Sequence, residues 1–234
     1  MSDRPPLAEP VLPGDAPSDY ERYLRTDELL ALQKDAGERM HRDELLFQTV
    51  HQSSELWLKL AWNEVEEAAA LVSRGDVAAA NRLLRRASHC LRLVTAALEM
   101  LEHMSPWEYT EVRKALGHGS GFDSPGFREI RRVTPPLGEA FHAAHEAAGL
   151  SLVDVYTRGR EFDDLYTLAE LLIEWDERVI VWRVVHLKVV QRTIGAGVVG
   201  TQGTPVEVMG RLVHKSFFPE LWDVRNTLTE LNLP

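Results

Sequence analysis

Three long stretches of this chain repeat their apolar residues every three or four positions, and that spacing restricts it to a fold built from long helices. In the first, Asp43 to about Ser73, the stripe runs through Leu46, Val50, Trp57, Leu60, Ala61, Val65, Ala68 and Val72. Gly75 closes it, and Asp76 caps a second helix to His103 with Val77, Ala80, Leu84, Leu91, Val94 and Leu98 facing inward. So short a turn makes the two helices antiparallel neighbours. The third, Leu165 to Gly195, carries Leu168, Leu172, Trp175, Val179, Trp182, His186, Val189, Val190 and Thr193 on one broad face. Shorter helices are predicted between Tyr20 and Gln33 (capped by Thr26 or Asp27 and ended by Gly37), over about 106–116, over 125–133 and 137–148 on either side of Pro135-Pro136, and from Pro205 to His214. A terminal Phe217–Arg225 segment completes the chain, and Leu150 to Arg160 reads as a connection. No strand-like alternation is present. The expected fold is an all-α helical bundle with long antiparallel helices, a single domain over 20–234 preceded by a flexible proline-rich arm over 1–19.

Composition narrows the function. The 36 acidic and 26 basic residues give a net charge of −10, which disfavours nucleic acid and anionic membranes as partners. The single cysteine, Cys90, rules out an intrachain disulfide and a cysteine-based metal cluster, and it suits a reducing cytoplasm. The proline-rich start has no signal-peptide apolar core, and no segment approaches the roughly 20 apolar residues of a membrane span. A soluble protein is expected.

Two histidines interrupt the apolar stripes. In the first helix Phe47, His51, Ser54, Glu55, Leu58 and Trp62 share one side, and polar groups on a buried face suit a pocket better than a plain core. His186 sits mid-helix in Val181-Trp-Arg-Val-Val-His186. Desolvation keeps both imidazoles neutral near pH 7, the form that ligates iron. A second arrangement competes with them. Glu38-Arg-Met-His41 and Glu139-Ala-Phe-His142 both have the Glu-x-x-His spacing of helical di-iron sites. No His-Glu-x-x-His zinc pattern and no nucleophile arrangement is found. Trp57, Trp62, Trp175 and Trp182 read as packing, with or without a flat cofactor against them. Two glycine-rich loops, Gly117–Gly126 and Gly195–Gly203, allow the backbone to approach a bound group.

Five ordered blocks then identify a resemblance. They are Tyr20-Glu-Arg-Tyr-Leu-Arg-Thr-Asp-Glu-Leu-Leu30; Asp43-Glu-Leu-Leu-Phe47 with His51-Gln-Ser-Ser-Glu-Leu-Trp-Leu-Lys59; Tyr109-Thr-Glu-Val-Arg113 with Ser120-Gly-Phe-Asp-Ser124; Trp182-Arg-Val-Val-His186 through Ile194-Gly195; and Phe217-Phe-Pro-Glu-Leu-Trp-Asp-Val-Arg225. The chain resembles the haem-dependent tryptophan 2,3-dioxygenases over most of residues 20–225. The resemblance implies a haem b whose iron is held by His186, with His51 beside the substrate's indole N–H and Phe47 lining the pocket. Arg113 would pair with the substrate carboxylate, assisted by Tyr109, while Ser120 lies near the haem edge and Thr201 meets the amino-acid head group, a place Thr204 could also take. Tyr20, Tyr23 and Leu24 would reach a neighbouring subunit's pocket in a homotetramer.

The expected reaction is O₂ insertion at C2–C3 of L-tryptophan or a close analogue, giving N-formylkynurenine as in the kynurenine pathway. Three departures from the family pattern bear on it. The region from about Val133 to Arg160 is shorter, Asp123 replaces a usual glutamine, and Val112 replaces a usual phenylalanine, which predicts a wider substrate pocket. Relatives in natural-product biosynthesis insert one oxygen into substituted tryptophans, so monooxygenation to an oxindole or hydroxylated ring is the enzyme alternative. A haem-binding sensor is the non-enzyme alternative.

Overall fold

The computed structural model describes residues 9–200, 203 and 205–232. Where one N-terminal helix is predicted, there are two, Asp19–Leu24 (α1) and Thr26–Leu30 (α2), broken at Arg25, whose φ is 53°. Neither helix buries a residue, so no packing holds them in line. The cap is Ser18, not Thr26 or Asp27; its hydroxyl accepts from the Glu21 N–H at 3.2 Å. The Asp19 carboxylate in turn accepts from the backbone N–H groups of Val11 at 3.0 Å and Leu12 at 2.7 Å. α2 ends well before Gly37.

The long pair forms as the periodicity demands: Glu44–Ser73 (α3) and Val77–Glu99 (α4). Gly75 takes φ +84° at the turn, and the Asp76 carboxylate accepts from Ala79 N–H at 3.1 Å to start α4. Met100–His103 then tightens into a 3₁₀ turn, followed by Pro106–Ala115 (α5). On α3 the buried stripe is Val50, Ser54, Leu58, Ala61, Val65, Ala68 and Val72. Trp57 and Leu60, expected inside, lie on the adjoining face and are 39% and 36% exposed.

Pro125–Ala147 (α6) is one continuous helix where the proline pair predicts two. Pro135 and Pro136 are both exposed, so the two carbonyls they leave unpaired can turn to water. Beside them Thr134 holds the helix to its neighbour: its buried hydroxyl donates to Ile130 O at 2.7 Å and accepts from Trp175 Nε1 at 3.1 Å. Leu152–Thr157 (α7) occupies the expected connection, started by a reciprocal Ser151–Asp154 cap. Asp163–Ile194 (α8), Val206–Leu212 (α9) and Pro219–Leu231 (α10) complete the all-α fold. Among the described residues the only strand-like pairing is an isolated bridge between Val199 and Pro205, and no helix is long and apolar enough to cross a membrane.

α3 packs on α4 and α6, and α4 on α8. Their main core joins Leu58 and Val65, Leu84 and Leu91, Ile130 and Phe141, and Leu172 and Trp175. A smaller core of Val50, Leu98, Leu101, Met104, Val112 and Val189 adjoins Phe47 and Tyr109. The two cores hold the α3 and α8 segments that carry His51 and His186.

Candidate functional site

Both anomalous histidines open onto one cavity of about 810 Å³. α3 contributes Phe47, His51 and Glu55 at successive four-residue steps, the helical spacing that puts side chains on one face. The His51 ring stacks on Phe47 with centroids 4.0 Å apart, and Phe47 meets Tyr109 of α5 at 6.1 Å. His51 Nδ1 lies 2.7 Å from the Phe47 carbonyl oxygen, which can only accept. That bond puts the proton on Nδ1 and leaves Nε2 of the neutral ring as an acceptor. Burial lowers the His51 pKa, more than the Phe47 carbonyl and Glu55 raise it.

His186 lies on α8 in the same cavity, stacked on Trp182 at 4.9 Å, and Trp182 packs on Phe127 at 3.7 Å. Burial first, and His51 second, push its pKa down to about 4, so the ring is neutral. The glycine-rich turn approaches its edge: a Cβ on Gly121 would stand 3.5 Å from His186 Cε1 and 3.6 Å from Nε2. Only glycine leaves that space beside Nε2 open. Ser120 caps the 3₁₀ turn Gly121–Asp123, its N–H donating to Asp123 Oδ2 at 3.0 Å, so Asp123 serves local structure here.

Arg113 reaches the cavity from α5 and donates to Val199 O of the second glycine-rich segment at 3.0 Å. Burial keeps the Tyr109 hydroxyl protonated, raising its pKa against the lowering effect of Arg113. Phe47, His51, Tyr109, Arg113, Ser120 and His186 are thus brought together. Tyr20, Tyr23 and Leu24 are not; they stand 69%, 78% and 45% exposed on α1. Thr201 and Thr204 lie outside the described residues, while neighbouring Gly200 lines the cavity. Val112, expected to widen the pocket, does not itself line the cavity; it is fully buried in the smaller core, which packs against Phe47 and Tyr109.

Arg131, Arg183 and Lys215 also line the cavity, and sequence reasoning missed them. Arg183 had a signal, a charged residue three positions before His186 on an apolar face. Arg131 and Lys215 had none. The Arg183 guanidinium donates to Leu212 O at 3.2 Å and to Lys215 O, and burial lowers its pKa despite Asp176. Buried Asp176 anchors the same segment by accepting from Phe217 N–H and Trp222 Nε1, each at 3.0 Å. Among the described residues, four cations therefore line the cavity against one acid, Glu55.

The Glu-x-x-His alternative is not supported. Among the described residues no three His, Cys, Asp or Glu side chains are grouped to hold a metal ion. His142 instead lies 3.0 Å from Glu220 and 3.2 Å from His145, and His41 faces Asp43 and Glu108.

A sequence profile of the family described as tryptophan 2,3-dioxygenase matches residues 11–139 and 136–228. The two stretches meet inside α6, within the region that reads short. Over 260 aligned residues the chain is 32% identical to a tryptophan 2,3-dioxygenase of Caulobacter vibrioides, covering 89% of this chain and 98% of that one. The enzymes of the same name from Bacillus cereus and Serratia proteamaculans are 30% and 29% identical, each over 89% of this chain and 92% of theirs.

Proposed function

This chain belongs to the tryptophan 2,3-dioxygenase family, and on that premise we propose that it is a haem-dependent oxidoreductase inserting O₂ across C2–C3 of the indole of L-tryptophan or a close analogue, giving N-formylkynurenine. The observation that carries this reading is the pair of neutral histidines, His51 and His186, on two walls of one cavity that also receives Arg113.

The residues present fit a haem. An 810 Å³ cavity lies in the upper part of the usual range of about 300–1,000 Å³ for ligand sites. The flat Trp182 and Phe127 rings line it, and the Trp182 Nε1 donor is buried without a partner among the described residues. The excess of cations also matches the expected ligands, two haem propionates and one substrate carboxylate. His186 would hold the iron, Arg131, Arg183 and Lys215 would receive the propionates, and Gly121 leaves room beside His186 Nε2.

When bound, ferrous haem supplies the O₂ binding and redox chemistry that no side chain here provides. The chain's own task is orientation. His51 Nε2 accepts the indole N–H, because its Nδ1 proton is committed to Phe47 O. Arg113 forms two parallel charge-assisted bonds to the substrate carboxylate, giving up its contact to Val199 O, with Tyr109 beside it and Phe47 as the apolar wall. Ser120 and Gly121 cover one side of the cavity and help to exclude water, and contact with the amino-acid head group is assigned to Thr201 or Thr204. Exposed Tyr20, Tyr23 and Leu24 complete a neighbour's pocket in a cytoplasmic homotetramer. Haem-loaded, reduced protein mixed with L-tryptophan and O₂ should form N-formylkynurenine, read by its absorbance. Haem-replete protein that leaves L-tryptophan and its ring-substituted analogues all unchanged would overturn the reading.

A further inference from the structure

We infer that Glu55 is a positioning residue whose carboxylate clamps the Ser120–Gly126 turn to α3 and so sets the gap between Gly121 and His186. The role of that gap rests on the haem reading above; the clamp itself rests on geometry. Glu55 Oε1 accepts from Ser124 Oγ at 2.5 Å and Oε2 from Gly126 N–H at 2.8 Å, groups 69 and 71 residues further along the chain. Ser124 is at the same time the N-cap of α6, its oxygen accepting from Phe127 N–H at 3.1 Å. The carboxylate therefore meets the first turn of a helix, where unpaired N–H groups and the helix dipole favour a negative charge. Gly126 permits the approach. A Cβ there would fall 2.6 Å from Leu58 Cβ and 2.7 Å from Glu55 Oε2, so any side chain would force α3 and α6 apart.

The turn is braced at its other end by the reciprocal Ser120–Asp123 cap, so a hold on Ser124 and Gly126 is passed to Gly121. Glu55 also lies one helical turn beyond His51. One carboxylate thus fixes the helix carrying His51 relative to the turn that lies against His186.

Glu55→Ala removes both bonds, Ser124→Ala removes one of them together with the α6 cap to Phe127 N–H, and Glu55→Gln keeps an acceptor for Gly126 N–H and a donor for the Ser124 oxygen. Hydrogen exchange of residues 120–126 in the haem-free proteins reads the clamp directly. Exchange should rise in Glu55→Ala and in Ser124→Ala and stay at the wild-type rate in Glu55→Gln; wild-type exchange in Glu55→Ala overturns the clamp. Haem titration with Soret spectra reads the consequence. Glu55→Ala should bind haem on the order of 10- to 100-fold more weakly, the usual cost of removing an outer support, while the haem-free protein melts near wild type and Glu55→Gln restores affinity. Undiminished haem affinity in Glu55→Ala, or a loss matched by lost folding that Glu55→Gln does not rescue, overturns the positioning role. Wild-type protein that takes up no haem would instead sink the haem reading, leaving the exchange result to decide the clamp.

Discussion

Gly121 and His186 define the smallest unit of the proposed chemistry, an imidazole with open space beside its Nε2. His186→Ala should abolish haem uptake in a Soret titration, whereas His51→Ala should retain haem and lose turnover. Equal haem binding by wild type and His186→Ala would remove the iron-ligand assignment. Gly121→Ala tests the space itself. Its φ is not in the positive region that favours glycine, so a methyl can be introduced without backbone strain, 3.6 Å from Nε2. Haem affinity should fall at least tenfold, about 1.4 kcal/mol, with little change in the melting of the haem-free protein. Unchanged affinity would show that the ligand does not use this space. Both histidines were legible in the sequence because a polar ring on an apolar helical stripe is an anomaly that periodicity exposes. Arg131 and Lys215 were not, since an arginine or lysine on a helix or loop reads as solvent-facing until the cavity mouth is known.

The helices divide by how their boundaries are enforced. The extents of α3 and α8 follow from apolar spacing, and the boundaries at Gly75, Asp76 and Gly195 from their end signals, whereas α4 stops at Glu99 and the expected stretch to His103 tightens into a 3₁₀ turn. α6 does not follow from local rules, because burial of Ile130, Val133, Leu137 and Phe141 overrides two internal prolines. Thr134→Val should leave Trp175 Nε1 buried without its acceptor and cost about 1–3 kcal/mol in urea unfolding; a loss below about 0.5 kcal/mol would mean that the Thr134 link does not support the helix through its prolines. α1 shows the opposite case. With nothing buried, its geometry depends on polar contacts, among them the Asp19 carboxylate, whose pKa is lowered by the Leu12 and then the Val11 backbone N–H. This contact needs the ionised form, so it is complete above the ordinary value of 3.8 and lost as pH falls through the lower folded value. Amide nitrogen shifts of Val11 and Leu12 should titrate below pH 3.8, and the titration should vanish in Asp19→Asn. A midpoint at or above 3.8 would contradict the contact.

At the scale of the molecule, two cores frame one cationic cavity in a chain whose net charge is −10. That contrast favours anionic ligands inside an otherwise acidic protein. The all-α class and the six cavity-lining residues from α3, α5, α8 and the first glycine-rich turn were legible in periodicity and ordered motifs. The cation set and the Glu55 clamp were not, because each joins residues far apart in the chain. Val112 faces the smaller core and not the cavity, a direction that α5's sequence alone does not reveal. In the proposed reaction this cavity directs both atoms of O₂ to one indole. Turnover of L-tryptophan by the reduced, haem-loaded protein under ¹⁸O₂ tests it most directly. Mass spectrometry should find N-formylkynurenine carrying two labelled oxygens without added reductant or peroxide during turnover. A product with a single labelled oxygen, or none, would rule out dioxygenation.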